Sequence, residues 1–424
     1  MPIRLIKIST YYRDFLNDYY HRNPEVKNLD YSGQYSHLMG QYNSWSDNYG
    51  QLLAKKGMET MEVIANALPM QKAWINENGL KDDFSIEDIV NKQIEYFKPD
   101  VVYFQDSITF SGRFINSLRK KNPSIRLIIG NLGSLFSSGQ VDDFKEFDFM
   151  TVCAPVIAEN LNNHGINNTI VIPHAFDGRI LEKINDSNPY PQTDLIFTGS
   201  ILPGAGFHTR RLKIIESLIK EKVNLDYYGV LPDNSFIGLL KRKASYSAAH
   251  FFDYIGMKVI TDSFPLILKG RGHTTMPKKT KISSKLQKIA KPPLFGLEMF
   301  KALSNAKMGF NIHADFSGDY AINMRMYETT GVGTCLITDM KKDLHKYFDI
   351  YNEVVTFSSV DECVEKVKYL VNNPQECSKI AANGQKRTLK EHNFESRVDI
   401  FYEALLNNFN MKKIMPDNLE IKTS

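Results

Sequence analysis

Short apolar runs alternate with amphipathic segments along the first 180 residues of the chain. The runs are rich in Ile, Val and Phe, and their length is typical of buried β-strands. They are IRLIKIS from Ile3, METMEVIAN near Met61, DVVYFQD from Asp100, IRLIIGN from Ile125, FMTVCA from Phe149 and TIVIPHAFD from Thr169. Helical periodicity separates them, most clearly in FSIEDIVNKQIEYF and PVIAENLNNHG. This alternation predicts a parallel sheet with crossover helices.

The same pattern begins again after a polar, proline-containing segment. SNPYPQTD, residues 187–194, has two prolines and predicts an interdomain linker. The strand-like runs DLIFTGS, LDYYG, MGFNIH, TCLITD and EVVTFSS follow, with helical segments between them. We therefore expect an α/β protein with two Rossmann-like, doubly wound lobes, 1–187 and 188–410, and a cleft between them. A terminal helix and tail are expected over 395–424, with the helix returning to the first lobe.

One basic region interrupts the second lobe. Residues 241–291 contain 12 Lys or Arg and two acidic residues, Asp253 and Asp262. The sequence predicts an insertion over 235–292, made of an apolar and aromatic part followed by a polar loop. One interpretation is a solvated basic loop beside a buried helix. The other is a patch that holds an anionic membrane surface or a phosphate-bearing acceptor.

Composition excludes several classes of protein. With 424 residues, 42% hydrophobic and 24% charged, the chain is expected to be globular with two domains. The N-terminus lacks the apolar region of a signal peptide and no window suits a membrane span, so a cytoplasmic location is expected. The four cysteines are isolated and no Asp-x-Asp pair occurs, so no metal site is expected. A net charge of +4 is too small to indicate nucleic-acid binding.

The stretch NMRMYETTGVGTCLITD, residues 323–339, combines polar side chains with glycines before an apolar strand. We expect a helix from about Ala321, whose free amides and Arg325 suit a diphosphate. Glu328 shares a face with Arg325 and suits two ribose hydroxyls. Gly331 and Gly333 are expected to end the helix and allow close approach of the backbone. The alternative for Arg325 and Glu328 is an exposed ion pair.

The segment FNIHADFSGDYAINMRMYETTGVGTCLITD and the helical sequence behind it resemble a known family. They are similar to the C-terminal lobe of CgeB-like, group 1 type glycosyltransferases of GT-B fold, over roughly residues 194–410 without the basic insertion. The family transfers a sugar from a nucleotide-diphosphate donor and needs neither a metal nor another cofactor. The resemblance implies that Glu328 binds the donor ribose and that Asn323 and Arg325 bind the diphosphate or the sugar.

The resemblance also extends to the loop after DLIFTGS. It implies that Gly199 and Ser200 approach the phosphates, that Arg210 or Arg211 neutralises them, and that His208 assists. Many retaining enzymes of this fold carry a Glu eight positions before the ribose-binding one, where this chain has Tyr320. Recognition of the sugar, and the choice between retention and inversion, therefore stay open, although a retaining hexosyltransferase is the expectation.

The first lobe is expected to supply the acceptor side. Asp106, at the end of DVVYFQD, is the candidate general base if the reaction inverts, and a retaining reaction needs none. His174 is a candidate contact to the donor or a capping residue. Tyr11, Tyr12 and Arg13 suit a sugar face or a lipid-linked acceptor, although core packing is an alternative for at least one tyrosine.

The leading hypothesis is a cytoplasmic glycosyltransferase, at the inner face of the cell membrane, that acts on a bacterial surface glycan or glycolipid. One alternative is a nucleotide-sugar epimerase of the same fold. Another is a noncatalytic protein that binds a nucleotide sugar or a polyanion. A dehydrogenase is not expected, because neither lobe opens with a G-x-G-x-x-G turn after its first strand.

Overall fold

The structure is a computed structural model that describes most of the chain. It describes residues 2–81, 84–134, 136–184, 192–201, 210–257, 264–271, 273 and 275–414. The described residues form two compact units. Unit 1 comprises Met1–Phe136, Gln140–Pro173 and Phe394–Ser424, and unit 2 comprises Ser137–Gly139 and His174–Asn393.

Twelve strands form in the described residues. They are β1 (Arg4–Ser9), β2 (Glu59–Ile64), β3 (Val101–Phe104), β4 (Leu127–Leu132), β5 (Phe149–Val152), β6 (Thr169–Val171), β7 (Thr193–Thr198), β8 (Leu225–Tyr228), β9 (Ala290–Lys291), β10 (Ala306–Asn311), β11 (Cys335–Asp339) and β12 (Val355–Phe357). Each apolar run named above overlaps one of these strands. The remaining strand, β9, has two residues inside the basic insertion, and the sequence did not predict it.

Eighteen α-helices form in the same residues. The first nine are α1 (Arg13–Arg22), α2 (Tyr31–Met39), α3 (Asn48–Lys55), α4 (Leu68–Glu77), α5 (Ile86–Phe97), α6 (Gly112–Lys121), α7 (Val141–Phe144), α8 (Pro155–Asn162) and α9 (Ile180–Ile184). The others are α10 (Arg211–Lys220), α11 (Phe236–Tyr254), α12 (Pro265–Arg271), α13 (Ser284–Ile289), α14 (Gly296–Ser304), α15 (Arg325–Gly331), α16 (Val360–Asn372), α17 (Pro374–Glu391) and α18 (Phe394–Ile414).

Each unit contains one six-stranded parallel sheet. The strand order is β2-β1-β3-β4-β5-β6 in unit 1 and β12-β11-β10-β7-β8-β9 in unit 2. In both sheets the order reverses beside the first strand, which is the topology of a doubly wound sheet. The fold class predicted from the sequence is confirmed. The reversal lies between β1 and β3 in unit 1 and between β7 and β10 in unit 2.

Burial explains why these runs form strands. The strand side chains of unit 2 pack with α10, α16 and α17 into one apolar core that contains Leu195, Phe310 and Ile337. Strands covered by helices on both faces are apolar throughout rather than alternating. In unit 1, Val101–Phe104 is buried at every position.

The last helix, α18, belongs to unit 1. Phe401 contacts the rings of Tyr49 and Tyr103, with ring centroids 5.3 Å and 4.7 Å apart. Asp399 also pairs with Lys56 at 2.5 Å. The chain therefore leaves unit 1, forms unit 2 and ends on unit 1, with residues 415–424 outside the described part.

The start of unit 2 differs from the boundary drawn on the sequence at residue 187. Residues 174–184 group with unit 2, because α9 packs against α14 of that unit. The linker of residues 187–194 lies outside the described residues up to residue 191. The sequence placed the boundary at the prolines, whereas the contacts of α9 place it before His174.

The basic insertion is largely helical where it is described. It contains the 19-residue helix α11, then α12 and α13, and it ends in β9, which pairs with β8. The polar part, predicted to be a loop, therefore contains α13 and β9, and its first residues belong to the end of α12. Among the helices of the described residues, none is both long enough and apolar enough to span a bilayer.

The end of α15 is closely packed. A Cβ atom built on Gly331 would overlap the ring of Phe176, which itself is 2% exposed. We expect Gly331→Ala to lower the free energy of unfolding by about 1–3 kcal/mol, because the ring must move. Urea unfolding would measure it, with Gly178→Ala as the matched control, since a Cβ there meets nothing within 4 Å. Equal stability of the two variants would contradict the packing.

Candidate functional site

In the described part of unit 2, polar side chains lie at and just after the ends of β7, β10 and β11. They lie at the carboxyl edge of the sheet, where the strand order reverses between β7 and β10. In doubly wound sheets, ligands bind at this edge beside the reversal. Asn311 joins the ends of β10 and β11 at this edge, because its side-chain amide donates a hydrogen bond to Thr338 Oγ1 at 2.9 Å.

Arg211, the first residue of α10, joins the two loops beside the reversal. Its guanidinium donates to the carbonyl of Ser200 at 3.0 Å and to that of Ile312 at 3.1 Å. The residue is 8% exposed, and burial together with the charge of Arg325 lowers the pKa of Arg211 to about 10. Its Nε has no hydrogen-bond partner in the described residues. The sequence left Arg210 and Arg211 as alternatives, and the structure places Arg211 at the reversal.

Arg210 extends elsewhere along the same edge. Its guanidinium donates to the carbonyl of Ser358, after β12, at 2.9 Å, and its side chain is exposed. Gly199 and Ser200 follow β7 as expected, and the Gly199 amide donates to the carbonyl of Tyr228 at 2.8 Å. His208 lies outside the described residues.

Arg325 and Glu328 form an ion pair at the start of α15. The Arg325 Nη1 lies 2.7 Å from Glu328 Oε2, and the side chains are 19% and 9% exposed. The pair is thus mostly buried, unlike the exposed pair considered from the sequence. Burial raises the pKa of Glu328 and the charge of Arg325 opposes that rise. Despite the short distance, no donor in the described residues is aligned for a hydrogen bond to Oε2.

The start of α15 differs from the sequence prediction. The helix begins at Arg325, four residues later than expected, and residues 321–324 form a loop. The Ala321 amide already donates to Asp343 Oδ1 at 2.7 Å, so it is not free for a ligand. The Asn323 side chain accepts from the Arg325 amide at 3.0 Å. Asn323 therefore orients the first turn that carries Arg325.

Gly331 and Gly333 lie at the end of α15, as the sequence predicts, and their contact with a donor stays a prediction. Gly331 is the last residue of α15 and Gly333 lies between α15 and β11, so both lie at the amino edge of the sheet. Thr334 beside them donates to the carbonyl of Leu303, just before β10, at 2.7 Å. Gly333 has φ +81°, and Gly331 makes room for Phe176. Both glycines are required by the backbone and by packing.

His313 and Asp339 form a buried pair that the sequence analysis did not identify. The His313 amide and Nδ1 lie 2.9 Å and 2.7 Å from Asp339 Oδ1, and the side chains are 0% and 5% exposed. Burial alone raises the pKa of Asp339, but the hydrogen bonds and charge of His313 hold it below its usual value, aided by Lys341. His313 Nε2 has no hydrogen-bond partner in the described residues. The signal in the sequence was a polar residue just after one strand and another at the end of its neighbour.

The acceptor-side candidates belong to unit 1, and only some are accessible. Tyr11 is 6% exposed and packs edge-on against Phe15, so its ring belongs to the core. Tyr12 is 76% exposed, and Arg13 begins α1 with an exposed side chain. The core-packing alternative is therefore correct for Tyr11.

Asp106 lies beside the reversal of the unit 1 sheet. Its carboxylate accepts from the hydroxyls of Thr10 and Thr109 and, at 3.0 Å, from the Ile108 amide. These bonds hold the loop after β3 to the loop after β1, which gives Asp106 a structural role whatever its chemistry. His174 is half-buried at the start of unit 2.

No group of three or more His, Cys, Asp or Glu in the described residues is arranged to hold a metal ion. The four cysteines are buried free thiols. Arg210, Arg211, Arg325 and Lys341 all contribute positive charge at the carboxyl edge of unit 2.

Residues 277–403 match the family model described as glycosyl transferase-like. This segment contains His313, Arg325, Glu328 and Asp339. The structure is similar to that of the Anabaena protein HepE in complex with UDP-glucose, with a TM-score of 0.52 and 8% identity over 96% of this chain and 100% of that chain. The chain has the GT-B fold. A glycosyltransferase from Rickettsia africae is similar with a TM-score of 0.51 and 6% identity, over 98% and 100% of the two chains.

The resemblance to GT-B glycosyltransferases seen in the sequence is thus confirmed, while the CgeB-like subtype stays a prediction. No curated protein sequence matches the chain significantly.

Proposed function

We propose that the chain is a glycosyltransferase that binds a nucleotide-diphosphate sugar at the carboxyl edge of the unit 2 sheet. One observation carries the proposal. The Arg211 guanidinium is anchored at the reversal of strand order by two backbone carbonyls. In the same unit, α15 follows β10 and begins with the mostly buried ion pair of Arg325 and Glu328. Two cations suit the negative charges of a diphosphate, and a carboxylate suits the two hydroxyls of a ribose.

Arg325 is the proposed ligand of the diphosphate. Transfer of the sugar breaks its bond to the diphosphate oxygen, and negative charge develops on the leaving nucleoside diphosphate. A guanidinium held in place before the reaction stabilises that charge without reorganisation. Arg211 acts differently in this proposal, since its two Nη atoms already donate to carbonyls. It adds positive charge and holds the loops of Ser200 and Ile312 together.

Glu328 is the proposed ligand of the ribose. Its Oε2 has an accepting position that no aligned donor of the described residues uses, and its carboxylate is held at the start of α15 by Arg325. Two vicinal hydroxyls would supply the missing donors. Binding would therefore stabilise the ionised carboxylate that burial disfavours in the free protein.

The pair of His313 and Asp339 is proposed to position the site. His313 follows Ile312, whose carbonyl accepts from Arg211. By tying this loop to the end of β11, the pair fixes the carbonyl and thereby the guanidinium. Hydrogen bonds of this kind orient binding residues without touching the ligand.

The finer features of the proposal come from the sequence and from relatives. HepE was solved with UDP-glucose, so a UDP-sugar is the first donor to test. Reaction without a metal, a bacterial surface glycan or glycolipid as acceptor, a cytoplasmic location and a retaining hexosyl transfer remain predictions from the sequence. Asp106 and Tyr12 are the unit 1 residues to test for effects on the acceptor.

A product assay distinguishes the proposal from its alternatives. Protein is incubated with each nucleotide sugar, with and without candidate acceptors and with chelator, and both released nucleotide and sugar identity are measured. A transferase releases nucleotide slowly alone and faster with acceptor. An epimerase converts the sugar without releasing nucleotide, and a binding protein leaves it intact. Either of the last two outcomes would overturn the proposal.

Substitutions connect that assay to the site. Glu328→Ala is expected to lower kcat/KM by about tenfold or more, mainly through KM, because ribose contacts are made in both ground and transition states. The matched control is Glu298→Ala in α14, which removes an exposed i,i+3 pair with Lys301. The control should keep its activity, and equal losses in both variants would remove Glu328 from the site.

A further inference from the structure

Helix α11 leaves an apolar face uncovered by the rest of the described chain. About half of the exposed large hydrophobic side chains of the described residues lie between residues 230 and 276, which is roughly a ninth of the chain. Phe236 is 80% exposed, Leu240 56%, Phe251 58% and Tyr254 90%. Such a concentration is unusual on a surface that faces only water.

These side chains form one stripe along the helix. At 3.6 residues per turn, Phe236, Leu240, Phe251 and Tyr254 project within a narrow sector, with Ile237 and Ile255 at its side. We call these six residues the α11 stripe. The buried residues of the helix, Gly238 and Ala249, lie on the opposite side.

The opposite side of α11 is covered by α12. A Cβ on Gly270 would overlap the carbonyl of Ser245, so the two helices are in close contact. Arg271 Nε donates to Asp253 Oδ2 at 2.7 Å, which fixes the end of α12 to the end of α11. The helix is therefore held by its polar and small-residue side, and its apolar side is presented outward.

Positive charge surrounds the stripe. Lys241 and Lys243 are exposed and lie on the two flanks of the sector. The region 241–291 has 12 basic and two acidic residues, and the whole chain has a net charge of +4, so the rest of the chain has a net charge of −6. Basic charge is thus concentrated in one part of the chain.

We propose that the α11 stripe inserts into the interfacial layer of an anionic lipid bilayer, with Lys241 and Lys243 at the headgroups. An apolar face flanked by lysines is the pattern of helices that lie in the plane of a membrane surface. The flanking lysines favour a flat anionic surface over a second copy of this chain, because the stripe of a second copy is flanked by the same positive charges. This inference goes beyond the proposed activity, since it holds whether or not the chain transfers a sugar.

Vesicle sedimentation of the full-length protein tests the proposal. Vesicles of phosphatidylcholine, alone or with about one quarter phosphatidylglycerol, distinguish apolar insertion from charge attraction. Wild-type protein is expected to bind the anionic vesicles, and the variant Phe236→Ser/Leu240→Ser/Phe251→Ser to bind about tenfold or more weakly. The matched control is Leu29→Ser/Leu68→Ser/Tyr96→Ser, which removes exposed apolar side chains of unit 1 and should bind like the wild type.

Two further measurements separate the explanations. Lys241→Glu/Lys243→Glu is expected to lose the preference for anionic vesicles. Tyr254→Trp gives an indole in the stripe, and the natural Trp45 and Trp74 lie in unit 1. On vesicle binding, the fluorescence of Tyr254→Trp should shift to the blue and be quenched by brominated lipid. The fluorescence of the wild type should show neither change. Absence of vesicle binding by the wild type, binding that survives loss of the stripe, or a dimer that the triple variant dissociates would each overturn the proposal.

Discussion

Replacing Arg325 with Met is expected to reduce kcat/KM by about 100-fold and to destabilise the protein in a pH-dependent way. The substitution removes the proposed diphosphate ligand. It also leaves Glu328 buried without its cation, and breaking a mostly buried pair costs about 2–4 kcal/mol. The two losses have different causes, so they respond differently to pH and to a second substitution.

The pH dependence follows from the carboxyl. Burial holds the pKa of Glu328 above its usual value, and loss of Arg325 raises it further. A carboxyl with a raised folded-state pKa lowers stability as pH rises through the interval between its unfolded and folded pKa values. The stability loss of Arg325→Met should therefore be small near about pH 5 and larger near about pH 8. Urea unfolding at both pH values measures it.

A double substitution separates folding from binding. Arg325→Met/Glu328→Gln removes the buried charge, so it should recover most of the stability at high pH and none of the activity. Lys301→Met, from the exposed pair with Glu298, is the matched control and should change stability by less than about 0.5 kcal/mol. An Arg325→Met variant with the same stability loss at every pH would contradict the buried pair.

Asp339→Asn is expected to have the second-largest effect. It removes the ionised acceptor of the His313 amide and Nδ1, which costs about 2–3 kcal/mol for a buried, charge-assisted interaction. Because the folded-state pKa of Asp339 is lowered, its contribution is present above the unfolded pKa and is lost as pH falls through the folded pKa. The difference between wild type and variant should therefore shrink in acid, as urea unfolding across about pH 3 to 7 would show.

The same variant tests the positioning role of the pair. If His313 and Asp339 hold the Ile312 carbonyl that anchors Arg211, Asp339→Asn should lower kcat/KM by about tenfold, even where the protein is fully folded. Asp319→Asn is the matched control, since Asp319 pairs with Lys342 at 2.5 Å but is 61% exposed. A variant that is unstable but kinetically unchanged would show that the pair serves folding alone.

The strands were predictable because their apolar runs are buried on both faces. All eleven predicted runs contain strands of the two sheets, whereas β9 has only two residues and no apolar signature. Its pairing with β8 depends on contacts that the sequence pattern does not encode. Propensity is a weak predictor where neighbouring elements decide the conformation.

The candidate site was predictable in its main charges and not in its details. Arg325 and Glu328 share one helical face, and spacing alone indicates this. Their burial, the later start of α15 and the pairing of His313 with Asp339 all depend on residues far apart in the sequence. The packing of Gly331 against Phe176 was not predictable for the same reason, because Phe176 belongs to another part of the chain.

Ligand-induced stabilisation is the most direct test of the central claim that unit 2 binds a nucleoside diphosphate. Thermal unfolding of wild type and Glu328→Ala is followed with UDP, GDP, ADP and their sugars, with and without chelator. A ligand at about 100 times its dissociation constant adds about 2.7 kcal/mol of stability. The account predicts a selective shift for the wild type that chelator does not remove, and a dissociation constant raised by more than about tenfold in Glu328→Ala. No shift with any nucleotide, or equal shifts in both proteins, would contradict it.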